Sequence, residues 1–319
     1  MISLNDVKAA RERISDIAHI TPILQSEQLS TLCGNQLLLK SEHLQKTGSF
    51  KIRGASNKVI HAMEIGAKYV TAASSGNHGQ AVAYVANKYG IPATIVVPEN
   101  VSKCKVNAIQ AYNGKIEMCG TTSAERLPRA QAIADQESGV FIPPYDDPFI
   151  MAGQGTVGLE ILEQVDHIDA IIVPIGGGGL ISGILTAIKE TNPKIKVIGV
   201  EPEIANDTYL SLQNKKITAI DSTTTIADGL RTNQPGDLTF PVLMKYVDDL
   251  VLVSEDEIRQ AFSFVMERTK QLIEPSSATT VAAAMFNKLN IQGKNIVTVI
   301  SGGNVDLDKI HQLLVDITE

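Results

Sequence analysis

Short apolar segments alternate with helical patterns along most of this chain, and that alternation limits the folds it can adopt. Buried strands are predicted where Val, Ile, Leu and Ala run together, at 36–42, 68–74, 93–98, 195–202 and 295–303. Helical patterns that end in a glycine follow at 78–90 and 102–114, and 169–190 contains a strand, a glycine loop and a helix. This order is typical of parallel sheets wrapped by helices. Because the units at 68–114 recur away from those after residue 169, we predict two three-layer α/β domains with twisted, mostly parallel sheets and a cleft between them.

The composition is that of an ordinary globular enzyme. Of the 319 residues, 44% are hydrophobic and 20% are charged, and the net charge is −7. With no basic cluster, neither nucleic acid nor an anionic membrane is an expected partner. No run of about 18 apolar residues is present to span a bilayer. The first 14 residues have no apolar signal core and predict an amphipathic helix capped by Ser3 or Asn5.

The cysteine pattern indicates a reducing compartment. The three cysteines, Cys33, Cys104 and Cys119, are odd in number and widely spaced. They match neither a disulfide framework nor a zinc motif, so we expect free thiols and a cytoplasmic protein.

Four consecutive glycines follow one predicted strand and precede an apolar helix that starts near Leu180. They are Gly176, Gly177, Gly178 and Gly179. Such a run costs backbone entropy, and a tight strand–helix turn rarely needs it. Bare backbone N–H groups at a helix N-terminus can, however, close around an anion. The loop therefore predicts a phosphate site, with a tight turn as the plainer alternative.

The identity of that phosphate stays open at this point. No GK[ST] follows, so the loop is not a P-loop. A dinucleotide is a competitor, because Gly177, Gly179 and Ser182 approach the dinucleotide fingerprint. Glu201 lies about twenty residues further on, at the end of a strand, where an acid that binds ribose would stand.

Two further loops join a predicted strand to polar residues. The stretch "SSGNHG" (74–79) opens a helix, and its exposed amides, with Ser75 and Asn77, suit a carboxylate or a ring hydroxyl. The stretch "SGGNVD" (301–306) follows a strand, and Ser301 offers a hydroxyl to a heteroaromatic nitrogen. Each loop alone is equally well explained by helix capping or by a turn.

Lys51 stands in "KTGSFKIRG" (46–54), between Phe50 and Ile52. An apolar setting disfavours the ammonium form and leaves an amine that can attack an aldehyde. An ordinary surface lysine is the simpler interpretation of this segment alone. A reactive lysine, a phosphate loop and a serine for a ring nitrogen are together the parts that hold pyridoxal phosphate.

The motifs "KTGSFKIRGA", "SSGNHGQA", "AGQGT", "PIGGGGLISG", "IADG", "LIEP" and "SGGNVD" occur in this order over almost the whole chain. The chain thereby resembles the pyridoxal-phosphate enzymes of the tryptophan-synthase-β fold type (fold type II), and specifically the serine racemase/threonine dehydratase family. The resemblance implies that the cofactor lies in the cleft between the domains. It also implies a large cofactor-binding domain of residues 1–68 and 147–319 and a small mobile domain of residues 69–146.

The same resemblance assigns roles to individual residues. Lys51 is implied as the Schiff-base lysine, Asn77 as the partner of the ring hydroxyl and Ser301 as the partner of the pyridine nitrogen. The phosphate would be held by Gly176, Gly177, Gly178, Gly179 and Leu180. The substrate carboxylate would be bound by Ser74, Ser75, Asn77 and His78.

Ser75 also bears on the reaction. Racemisation needs an acid/base on the face of the substrate opposite Lys51, and in sequences resembling serine racemase the second serine of "SSGN" takes that role. We therefore expect racemisation of serine together with elimination of water from serine and threonine. The stretch "PPYDDP" (143–148) instead matches the dehydratase pattern, so a dehydratase of threonine or 3-hydroxyaspartate is the alternative.

Two effector sites are implied as well. Glu201, the carbonyl of Ala205 and Asp207 are hard oxygen ligands suited to Mg²⁺, Ca²⁺ or Mn²⁺; the plainer alternative is a solvated acidic turn. An allosteric ATP site at the interface of a homodimer is implied by Ser26, Lys46, Thr47, Gln80, Tyr112, Lys270 and Asn304.

Overall fold

A computed structural model describes residues 1–74, 76–99, 101 and 103–315, without the side chains of residues 103, 104, 123 and 124. Ser75 therefore lies outside the described residues. The helices are α1 (Leu4–Arg13), α2 (Glu27–Cys33), α3 (Lys51–Glu64), α4 (Asn77–Lys88), α5 (Lys103–Ala111), α6 (Ser123–Gln136), α7 (Pro148–Gln164), α8 (Gly179–Lys189), α9 (Asp207–Asn214), α10 (Thr239–Tyr246), α11 (Glu255–Phe264), α12 (Pro275–Met285) and α13 (Ile310–Leu313). The strands are β1 (Ile23–Gln25), β2 (Gln36–Ser41), β3 (Val70–Ala73), β4 (Ala93–Val97), β5 (Lys115–Met118), β6 (Val140–Phe141), β7 (Ala170–Pro174), β8 (Lys196–Pro202), β9 (Asp249–Val253) and β10 (Asn295–Ile300).

The strands form two sheets, which confirms the predicted α/β fold class. The larger sheet has the order β1-β2-β10-β7-β8-β9, and the smaller has the order β5-β4-β3-β6. Neighbouring strands are parallel except at the edge of the larger sheet, where β1 pairs antiparallel with β2. All strands of the smaller sheet fall between residues 70 and 141. The domain boundaries at 69 and 146 stay a prediction.

Local sequence explains how several helices begin. Ser3 caps α1: its hydroxyl accepts from the N–H of Asp6, whose carboxylate accepts from the N–H of Ser3 in return. Asp147 caps α7 in the same way by accepting from the N–H groups of Phe149 and Ile150. None of the described helices is both long and apolar enough to cross a membrane.

Helix α3, which begins at Lys51, packs against α4 and α7. Its apolar residues Ile52, Ala55, Val59 and Ala62 are buried in the core of the smaller sheet. At its start it crosses α7 with almost no side chain between the backbones. A Cβ on Gly153 would stand 2.6 Å from the Cα of Gly54. The position of Lys51 therefore depends on how closely α3 and α7 approach.

Candidate active site

The Lys51 amine lies where three parts of the chain meet. Its Nζ donates a hydrogen bond to the carbonyl of Pro144 at 2.7 Å. The preceding residue, Phe50, donates its N–H to the carbonyl of Ser301 at 3.0 Å. Burial lowers the pKa of Lys51 from 10.5 to about 8, although Glu274 nearby acts in the opposite direction. A sizeable fraction of the amine is thus neutral near pH 8, as attack on an aldehyde requires.

The glycine loop at the start of α8 offers a set of free donors. Within the described chain, the backbone N–H groups of residues 176–180 donate no hydrogen bond. Gly178 has φ of +89°, a conformation that favours glycine, and no side chain caps the helix. Unpaired amides at a helix N-terminus fit a phosphate group. The free amides of this loop therefore fit the phosphate group of pyridoxal phosphate.

The side chains around the loop explain why its glycines are needed. A Cβ on Gly177 would stand 2.4 Å from three ring atoms of Tyr145, and one on Gly179 would stand 2.9 Å from the Tyr145 Cβ. The Thr239 hydroxyl donates to the Gly177 carbonyl at 2.8 Å. Asp146 in turn accepts from the N–H groups of Leu238 and Thr239. Because Tyr145 follows Pro144, the loop and the Lys51 amine share one wall.

Asn77, at the start of α4, joins the smaller sheet to the larger one. Its amide nitrogen donates to both carboxylate oxygens of Glu274 at 3.0 Å, and its Oδ1 accepts from Asn304 at 2.7 Å. Asn304 also donates to the carbonyl of Thr47 at 2.8 Å. These contacts fix the orientation of the Asn77 amide beside the cleft.

Ser301 stands at the carboxyl end of β10 and is buried. Its hydroxyl lies 3.0 Å from the hydroxyl of Ser277. Ser277 also donates to the carbonyl of Gly302 and accepts from its N–H, at 2.7 and 2.8 Å. Ser277 therefore fixes the position of the Ser301 hydroxyl, which is the predicted partner of the pyridine nitrogen.

The loop predicted to bind the substrate carboxylate is described only in part. The Ser74 hydroxyl accepts from the N–H of Gly76 at 3.2 Å. The ring of His78 turns into the smaller unit, where Nε2 lies 2.8 Å from the carbonyl of Ile142. Burial and the nearby Lys51 lower the pKa of His78 to about 3, so the ring is neutral. The N–H groups of Asn77 and His78 donate to no described residue and remain free for a carboxylate.

The acids predicted to bind a cation are fully buried: Glu201 lies near the end of β8, and Asp207 is the first residue of α9. Glu201 accepts from the N–H groups of Thr208 and Tyr209 at 3.0 and 2.8 Å. The Asp207 Oδ1 has no partner, and the Ala205 carbonyl accepts no hydrogen bond from any described residue. Burial raises the pKa of Asp207 to about 7, and burial together with Asp207 raises that of Glu201. Unpaired buried acceptors of this kind fit a divalent cation.

That donor set is small. No group of three or more His, Cys, Asp or Glu side chains in the described chain could hold a metal ion. The predicted site thus rests on two carboxylates and one carbonyl. Because the Glu201 side chain is fully buried, a ribose cannot reach its carboxylate, whereas a small cation could share the oxygens that accept from Thr208 and Tyr209.

The residues predicted to bind ATP lie around two parts of the chain, the segment before α3 with α4 and the start of α2. Thr47 contacts Asn304 next to Asn77. Ser26 caps α2 and lines a cavity of about 410 Å³ together with Arg268 and Gln271. Lys270 lies beside those residues in the chain, with φ of +60°. Lys46 precedes Thr47, Gln80 is buried in α4 three residues after Asn77, and Tyr112 packs edge-on against Tyr84, also on α4.

Sequence reasoning missed two residues of this site. Glu274 occurs in the "LIEP" motif, but nothing local indicates that its carboxylate meets Asn77, 197 positions away. Tyr145 occurs in the "PPYDDP" stretch, but its packing on Gly177 follows only from the fold. The only indication in the sequence that these two residues belong to the site was their place in the motifs "LIEP" and "PPYDDP".

The site combines a lysine with a lowered pKa, a loop whose amides are free to bind a phosphate, and a serine hydroxyl fixed by a neighbour. Together, between two α/β units, these are the features of a pyridoxal-phosphate enzyme. The chain belongs to the pyridoxal-phosphate dependent enzyme family, whose sequence model matches residues 14–302. Among curated relatives, L-threonine ammonia-lyase of Thermotoga maritima is 43% identical over 98% of this chain and 78% of its own length. Serine racemase of Dictyostelium discoideum is 43% identical over 98% of both chains. The solved structure of maize serine racemase superposes with a TM-score of 0.93 at 40% identity, covering 98% of this chain and 96% of that one.

Proposed function

We propose that this protein is a pyridoxal-phosphate dependent serine racemase that also eliminates water from serine and threonine, which yields the keto acid and ammonia. The observation that carries the proposal is the Lys51 amine, held against Pro144 between the glycine loop and Ser301 with its pKa lowered to about 8. The similarity to the serine racemase of Dictyostelium and to the threonine ammonia-lyase of Thermotoga supports both activities.

When bound, pyridoxal phosphate supplies an electron-withdrawing ring that makes the α-hydrogen of an amino acid acidic. The free amides of residues 176–180 would hold its phosphate, Asn77 its ring hydroxyl and Ser301 its ring nitrogen. The amine of Lys51 would take the α-proton on one face of the substrate, as a general base whose pKa lies near the working pH. Ser75 would return a proton on the opposite face.

A dehydratase without racemase activity is the second candidate. It is favoured by the 143–148 loop, where the Tyr145 ring packs on Gly177 and Asp146 binds the start of α10. This loop carries the dehydratase pattern and borders the Lys51 amine.

Two effectors accompany the proposal. Glu201, Ala205 and Asp207 would hold Mg²⁺, Ca²⁺ or Mn²⁺, since they include buried acceptors without partners. ATP would bind between the subunits of a homodimer, as the resemblance to the family implies. Sedimentation with and without ATP, at a fixed concentration of enzyme, tests the dimer and its response to the nucleotide.

The deciding experiment incubates the purified enzyme with L-serine and measures D-serine and pyruvate in the same samples. Both products should form, and borohydride should attach the cofactor to the peptide that contains Lys51. Pyruvate without D-serine would favour the dehydratase. Attachment to another lysine would refute the assignment of the site.

A further inference from the structure

A compact cluster of four charges is buried directly behind the Lys51 site. It consists of Lys40 on β2, Glu42 just after β2, Arg53 on α3 and Glu160 on α7, and all are at most 5% exposed. Their charges balance, with two cations and two carboxylates. We call these four residues the buried charge cluster. None of them has a part in the proposed reaction.

Arg53 is the centre of this cluster. Its Nε and Nη2 donate to the two oxygens of Glu42 at 2.7 and 2.8 Å, as a bidentate pair. Its Nη1 and Nη2 donate to the two oxygens of Glu160 at 2.6 and 2.9 Å. Burial alone would raise the pKa of Glu42, but Arg53 lowers it below its ordinary value. A planar guanidinium can bridge two carboxylates in this way, whereas a lysine ammonium cannot.

The two carboxylates that Arg53 bridges lie on different parts of the fold. Glu42 follows a strand of the larger sheet, and Glu160 lies on α7. Arg53 therefore ties the first turn of α3 to both. This turn has no side-chain cap at Phe50, and a further contact comes from α7, where Gln154 accepts from the N–H of Gly54 at 3.1 Å.

Lys51 and its hydrogen-bond acceptor stand at the starts of the same two helices. Lys51 is the first residue of α3, and Pro144 lies just before α7. The distance from Nζ to the Pro144 carbonyl thus depends on the spacing of α3 and α7. The Arg53–Glu160 ion pair helps to hold that spacing, because Arg53 lies two residues after Lys51 on α3 and Glu160 lies on α7. We propose that Arg53 is a positioning residue for the Lys51 amine, acting through the buried charge cluster. This inference rests on the proposed role of Lys51 but is tested without turnover.

Substitutions in the buried charge cluster leave the ionisable groups next to the Lys51 amine unchanged. The charged group that influences the pKa of Lys51 is Glu274, just before α12, and Lys51 in turn lowers the pKa of His78 on α4. Neither contacts the buried charge cluster through a hydrogen bond in the described chain. Lys40 provides a matched control, because it donates to Thr21, Glu160 and Gln164 but makes no hydrogen bond to α3.

The experiment measures the pH midpoint for acylation of Lys51 by trace acetic anhydride in the full chain freed of cofactor. In Arg53→Lys the first turn of α3 should separate from α7 and the amine should gain water. Its midpoint should rise by about one pH unit, which leaves about fivefold less neutral amine at pH 8, because the neutral fraction falls from about one half to about one tenth. Lys40→Met should lower the melting temperature as Arg53→Lys does and leave the midpoint unchanged.

Two results would overturn the proposal. One is an unchanged midpoint in folded Arg53→Lys, and the other is an equal rise in Lys40→Met, which would indicate general loosening. If Arg53→Lys does not fold, Glu160→Gln provides the same comparison, since it weakens the bridge from α7 and keeps Arg53 paired with Glu42. An unchanged midpoint in folded Glu160→Gln would likewise overturn the proposal. A wild-type midpoint near the ordinary lysine value of 10.5, rather than near 8, would show instead that the proposed function of Lys51 is wrong.

Discussion

The Asn77 amide nitrogen lies 3.0 Å from both carboxylate oxygens of Glu274, across the cleft between the two sheets. Glu274 is 4% exposed, and burial together with Asp228 raises its pKa from 4.5 to about 8. A neutral amide does not offset the burial of a carboxylate charge. The contact therefore joins the two units through an acid that is protonated near neutral pH.

This raised pKa predicts a pH-dependent cost to stability. Between pH 4.5 and 8 the folded chain without cofactor keeps a proton that the unfolded chain releases, so its stability falls as pH rises. Glu274→Gln removes that titration. The variant should gain a few kcal/mol over wild type between pH 5 and 8, since each pKa unit corresponds to about 1.4 kcal/mol. Urea unfolding of both proteins at several pH values measures the difference.

The exposed Glu12→Gln provides the control for this comparison, because it changes net charge equally without altering a buried group. Its stability should follow that of wild type at every pH. A constant difference between Glu274→Gln and wild type across the range would mean that Glu274 is already ionised at pH 5.

The buried acids Glu201 and Asp207, at the end of β8 and the start of α9, predict a response to divalent ions. Removing these ions with a chelator should lower the melting temperature, and Mg²⁺ or Ca²⁺ should restore it. A ligand at about 100 times its dissociation constant stabilises the fold by about 2.7 kcal/mol. Asp207→Ala should abolish this response, whereas Glu203→Ala, at an exposed position of the same segment, should retain it. If neither the chelator nor the added metal changes the melting temperature of the wild type, the cation site is refuted.

The glycine loop and Tyr145 predict a coupled pair of substitutions. Gly177→Ala should displace the Tyr145 ring, because the new Cβ would stand 2.4 Å from it. Overpacking of this kind costs about 1–3 kcal/mol, and we expect a correspondingly weaker affinity for pyridoxal phosphate. In the Tyr145→Ala background the same change should cost much less. Absorbance titrations of the four proteins complete the cycle, and strictly additive losses would contradict the proposed contact.

The fold class could be predicted because its evidence is local. The apolar run at 195–202 became β8 at Lys196–Pro202, and the 169–190 pattern became β7 and α8. Strands β1, β5, β6 and β9 were not predicted. Of these, β6 has only two residues, too few to show a pattern. The glycine loop was recognisable for the same local reason, since both its composition and its place after a strand can be seen in the sequence.

The contacts that organise the site could not be predicted, because they join residues far apart in the chain. Arg53 and Glu160 are 107 positions apart. A charged residue within an apolar helix pattern indicates burial with some partner but does not identify it. Which acids surround Arg53 is decided by the crossing of α3 and α7, and this crossing depends on two glycines whose meeting no local pattern indicates.

Ser75 predicts a separation of the two reactions. If it returns a proton on the face opposite Lys51, Ser75→Ala should lower the formation of D-serine from L-serine by about 100-fold or more, as loss of a general acid/base does. Elimination from D-serine should fall equally, because its α-hydrogen points to the missing hydroxyl. Elimination from L-serine should persist, since Lys51 still serves that face.

The alternative is that Ser75 only caps the helix that follows. Alanine would then cost about 1 kcal/mol of stability and weaken every reaction alike. Measuring D-serine and pyruvate from each enantiomer of serine distinguishes the two cases. An unchanged ratio of D-serine to pyruvate from L-serine would remove Ser75 from the mechanism, because a cap acts on the fold and cannot discriminate between the two faces of one substrate.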